Sequence, residues 1–102
     1  MVIITSIDQQ AFHQLLSADT ASEIAVGEEV EWFADVAETM IGTVGLAKKD
    51  NGWNYAILKR NARSDFEVSE RHGHFFTEHS AKVVLLRQMA GAEVLGVERL
   101  VA

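Results

Sequence analysis

Residues 40–60 read MIGTVGLAKKDNGWNYAILKR, and their interpretation decides the fold. Two runs rich in β-branched and aromatic residues flank Asn51-Gly52. An Asn-Gly pair accepts positive φ at both central positions, which a two-residue type I′ hairpin requires. With that turn, Lys48 lies opposite Tyr55, Leu46 opposite Ile57, Val44 opposite Lys59 and Asp50 opposite Trp53. Val44, Leu46, Trp53, Tyr55 and Ile57 then share one face of the ribbon. Ile41, Gly45, Ala47, Ala56 and Leu58 share the other. Neither face is strongly polar. A sheet that is apolar on both sides needs helices on one face and further cover on the other. A second subunit or a ligand would supply it.

The pattern extends outward in both directions. In 29–36, EVEWFADV, Val30, Trp32, Ala34 and Val36 alternate with Glu31, Phe33 and Asp35, which predicts a strand. Residues 61–65, NARSD, read as a turn. Phe66 and Val68 then alternate with Glu67 and Ser69, the start of another strand. Thr77 is a helix cap with Glu78 in the first turn, and the apolar positions Ala81, Val84, Leu85 and Met89 predict a helix over 78–90 ended by Gly91. Upstream, VIIT at 2–5 is a short strand. Ser6 and Gln9 form a capping-box pattern before Ala11, Phe12, Leu15 and Leu16, a helix over about 7–17. SADTASEIAVGEE reads as loop. The apolar tail 93–102 is a final strand that could pair with residues 2–5. The fold class is α+β: an antiparallel sheet of four to five strands packed by two helices, in a single domain spanning 1–102.

Charge narrows the function classes. The chain carries a formal net charge of −6, and residues 1–47 hold eight acids and no Lys or Arg. Such a half repels phosphate backbones, so no nucleic-acid binding is expected; a basic protein or a cationic small molecule would suit it. Without cysteine there is no disulfide and no thiolate ligand. No apolar run approaches the roughly 18–20 residues needed to cross a bilayer. The N-terminal stretch lacks a basic region and a cleavage pattern, so no signal peptide is expected and the location reads as cytoplasmic.

Two constellations could carry chemistry. RHGHFFTEH, 71–79, holds three of the four histidines. On a continuous strand His72, His74 and Glu70 would point to one face. Two imidazoles and a carboxylate suffice for a metal with an open position. The alternative is a polar junction whose histidines hydrogen-bond or lie in solvent. Trp32, Trp53 and Tyr55 lie on neighbouring strands and would line a pocket for a flat or cationic ligand, or pack as core. No residue is singled out as catalytic, no phosphate loop or nucleophile motif occurs, and no cofactor is implied.

The run 31–68 resembles small uncharacterised bacterial proteins, some carried on mobile gene cassettes. In these a W-F-A-D segment precedes G-T-V-x-G and W-x-Y-x-x-L-x-R. The matching positions are Trp32, Phe33, Ala34, Asp35, Gly42, Thr43, Val44, Gly45, Trp53, Tyr55, Leu58 and Arg60. This chain departs in its turn, KKDNG, and in RNARSDF. The resemblance implies no particular activity. Together these features predict a homodimeric interaction or ligand-binding module, with a small metal-dependent or acid/base enzyme at His72 and His74 as the rival.

Overall fold

The computed structural model describes residues 2–24, 26–49 and 51–91. The hairpin at the centre of the chain forms. β1 (Ile4–Ile7), β2 (Glu28–Asp35), β3 (Met40–Ala47), β4 (Gly52–Arg60) and β5 (Phe66–Phe75) make one sheet in sequence order, every neighbouring pair antiparallel. Among the described residues three helices accompany it: α1 (Gln9–Gln14), α2 (Ala18–Glu23) and α3 (Glu78–Ala90). The α+β class is therefore as expected. No described helix is long and apolar enough to cross a membrane.

The hairpin register differs from the two-residue turn. Val44 faces Tyr55 rather than Lys59, and Leu46 faces Trp53 rather than Ile57. Asn51 does take the left-handed conformation, with φ 51°. Gly52, however, begins β4 opposite Ala47. Its lack of a side chain serves packing: a Cβ there would lie 2.0 Å from His74 Nδ1. The displacement is four residues, an even number, so every side chain keeps its predicted face.

Both apolar faces are covered from within the chain. On one, Val44, Tyr55, Ile57, Phe33 and Ile4 pack with Ala81, Leu85, Leu86 and Met89 of α3. Gly42 lets α3 approach closely, because a Cβ would meet Leu85 Cδ1 and Met89 Sδ at 2.8 Å. On the other, Ile41, Ala56, Leu58, Ala34 and Phe66 pack with Phe12 and Val26, flanked by Leu15, Leu16 and Ile24. The cover predicted to come from a second subunit or ligand thus comes from the segment between β1 and β2.

That segment corrects two further expectations. The helix expected over about 7–17 is the shorter α1, and α2 forms within SADTASEIAVGEE, the stretch read as loop. Asp8, not Ser6, caps α1 by accepting from Ala11 N at 2.7 Å, and Ser17 restarts the chain as the cap of α2. Thr77 caps α3 and Gly91 ends it at φ 67°, as the sequence indicates. The strand expected in 93–102 lies outside the described residues.

β2 and β5 are not regular. Val30 is an extra residue between the pairs Glu29–Gly45 and Glu31–Val44. β5 carries one extra residue beside Ile57–Leu58 and another beside Trp53–Tyr55. Each insertion flips the faces of all residues beyond it.

Candidate functional site

The insertion near Gly73 separates the predicted metal ligands. His72 lies opposite Tyr55 on the α3 face, its ring centroid 5.2 Å from the tyrosine's. Glu70 follows it there, Oε1 standing 3.4 Å from His72 Nε2. His74 has crossed to the other face, where it lies against the Gly52 backbone. The structure thus brings Glu70 and His72 together and leaves His74 out. Among the described residues no group of three or more His, Asp or Glu side chains is arranged to hold a metal ion.

The predicted aromatic pocket divides in the same way. Trp32 lies opposite Thr43 on the α1–α2 face, with Nε1 donating to Glu29 Oε2 at 3.0 Å. Trp53 and Tyr55 are on the α3 face. Tyr55 is 1% exposed and stacks on Phe75 at 5.8 Å. Burial first, then the Glu70 charge, hold its phenol above the ordinary value, so it stays neutral. Tyr55 is core, and Trp32 and Trp53 are partly buried against the two core clusters.

Several residues of the W-F-A-D and G-T-V-x-G stretches have structural work. Asp35, 7% exposed, closes the β2–β3 turn. Its Oδ1 accepts from Thr39 N at 2.7 Å and Met40 N at 3.0 Å, and its Oδ2 accepts from the Thr39 hydroxyl. Thr43 Oγ1 donates to Glu31 C=O at 3.0 Å, beside the Val30 insertion. The Arg60 guanidinium lies 4.3 Å over the Phe66 ring.

The surface that the sequence did not announce is the open side of β1. Among the described residues this strand pairs with β2 alone. Val36 N donates to Ile3 C=O at 3.2 Å, one step beyond the strand. By antiparallel alternation Thr5 and Ile7 also turn their backbone groups toward β2, and Ile4 and Ser6 present theirs outward. Beside this edge α1 is too short to cover the sheet's end. Ile3 is 54% and Val36 68% exposed. A groove of about 410 Å³ runs between β1 and α1, with Thr5, Leu15, Val36, Asp35 and Glu38 in its walls. The opposite edge is protected differently. β5 is interrupted by its two insertions, and α2 is tied to it: Thr20 Oγ1 donates to Phe66 C=O at 2.6 Å, and Arg71 donates to Glu23 C=O.

One further cluster lies where α3 starts. Glu31 alternates regularly with Phe33 and so lies on the α3 face, opposite Val44, while the Val30 insertion sends Glu29 to the other face. Lys82 Nζ is 3.3 Å from Glu31 Oε1, whereas Glu31 Oε2 is buried with no hydrogen-bond partner. The Glu78 carboxyl is held above the usual carboxylate range, by burial first and then by Glu31, with Lys82 drawing it back.

No protein-family model matches this chain, and no curated protein or solved structure matches it. The reading of its function therefore rests on these surfaces.

Proposed function

We propose that the protein is a binding module whose contact surface is the open side of β1. Its partner is an extended, positively charged segment of another protein that adds to the sheet as a further strand. The observation that carries this reading is the joint exposure of Ile3 and Val36 beside a strand edge that no other described strand pairs. In strand addition the main chain supplies affinity and alternate side chains supply specificity. Ile4 and Ser6 offer the main-chain groups, and the groove offers an apolar seat.

Charge selects the partner. The groove walls include Asp35 and Glu38 and no Lys or Arg. The whole segment 1–47 holds eight acids and no Lys or Arg. Such a field favours encounter with a cationic segment and disfavours a second copy presenting the same surface. The homodimer suggested by the two-faced sheet loses its motive, since α1 and α2 provide that cover.

Calorimetric titration tests this with two synthetic strands of about ten residues, one alternating Val and Lys, the other Val and Glu. The Val-Lys strand is expected to bind with a Kd of roughly 10–100 µM, weakening as salt is raised. An Ile3→Lys, Val36→Lys double variant is expected to lose at least about tenfold. Equal binding of both strands, or a dimer joined through β1 in light scattering without either, contradicts the reading.

A further inference from the structure

We propose that Glu31 and Glu78 share one proton, and that the resulting O–H···O contact fastens the first turn of α3 to β2. Glu31 Oε2 is buried without a donor, and an uncompensated buried acceptor is costly. Lys82 engages the other oxygen, Oε1, at 3.3 Å. A protonated Glu78 supplies the missing donor. It stands at the first residue of α3, after the Thr77 cap. Two carboxylates in one site do not both ionise easily, and one lysine cannot neutralise both.

Among the described residues, the other charged or titratable groups on this side of the sheet come from α3, the β1–α1 corner, β4 and β5. From α3 they are Lys82 and the adjoining His79. From the β1–α1 corner, Asp8 lines a cavity of about 250 Å³ with Val30 and Glu31. β3 and β4 contribute Val44, Leu46, Trp53 and the neutral Tyr55, and β5 places Glu70 and His72 on the same face. Glu29, next but one in β2, faces the other side of the sheet with Trp32.

The contact is pH-sensitive, with a defined sign. The Glu78 carboxyl is held above its ordinary value of 4.5 in the folded chain. Its contribution is therefore complete below the ordinary carboxyl range and is lost as pH rises through the higher folded value.

The test follows the side-chain carboxyl ¹³C shifts of Glu31 and Glu78 in the full chain, from about pH 4 to about pH 9. Coupled titration in two steps is expected, the upper one above the ordinary carboxyl range. The upper step moves higher in Lys82→Met and stays in place in His79→Asn. Glu78→Gln keeps a donor to Glu31 and cannot titrate. Its Tm relative to the native chain should therefore rise by about 3–5 °C as pH goes from about 5 to about 8. Independent titration of both groups in the ordinary range overturns the proposal, as does a Tm difference that does not change with pH. Should Glu78→Gln fail to fold, the carboxyl titration of the native chain decides alone.

Discussion

Replacing Asp35 separates a structural carboxylate from a functional one. Its two oxygens accept three hydrogen bonds from Thr39 and Met40, and the side chain is 7% exposed. Each such bond contributes roughly 1 kcal/mol net, so Asp35→Ala should cost about 3 kcal/mol. For a domain near 100 residues that lowers Tm by roughly 12–24 °C. Asp35→Asn retains Oδ1 for both backbone amides and can present its NH₂ to the Thr39 hydroxyl, so it should cost no more than about 1 kcal/mol. Urea unfolding of the three proteins measures this, with the midpoint shifting at constant slope. The Asn variant should still bind a Val-Lys strand, because the turn that positions Val36 survives, but more weakly, because one of the two groove acids is gone. Equal losses in Asn and Ala would refute the reasoning and assign the role to the negative charge itself. An Ala variant within about 0.5 kcal/mol of native would refute it too.

Other substitutions probe the irregular strands. Thr43→Val removes the hydroxyl that donates to Glu31 C=O and should cost about 1–3 kcal/mol in chemical denaturation, whereas Thr43→Ser keeps the bond and should cost about 1 kcal/mol. Gly52→Ala forces the His74 ring away and should cost about 1–3 kcal/mol, most of it recovered when His74→Ala is added; purely additive losses would contradict the packing. Because His72 and His74 face opposite sides of the sheet, Zn²⁺ titration should give the same weak response for the native chain and for the His72→Ala, His74→Ala double variant. A stoichiometric site lost in the double variant would contradict the register of β5.

The alternation in 53–58 and 31–35 made the sheet legible, because each side chain's burial repeats every two residues. The start and end of α3 were legible through Thr77 and Gly91, whose cap roles follow from local chemistry. The helix α2 was not, since its six residues ADTASE carry no apolar stripe and its stability comes from Ser17 and from the Thr20 contact with β5. The insertions were not legible either. An extra residue such as Val30 looks like ordinary strand in the sequence, yet it reverses which side chains point inward. At Val30 that reversal parted Glu29 from Glu31, and in β5 it parted His74 from His72. The turn displacement did less harm, because an even shift preserves the faces. The open edge of β1 depends on where α1 ends, which packing decides and local propensity does not.

Amide hydrogen exchange of the full chain, with and without the Val-Lys strand, tests the β1 surface most directly. Thr5 and Ile7 amides already point to β2 and should be protected throughout. Ile4 and Ser6 amides should exchange fast alone and slow when the strand is added. Unchanged exchange at Ile4 and Ser6, with protection appearing along β5 or elsewhere, would contradict the assignment of β1 as the binding edge.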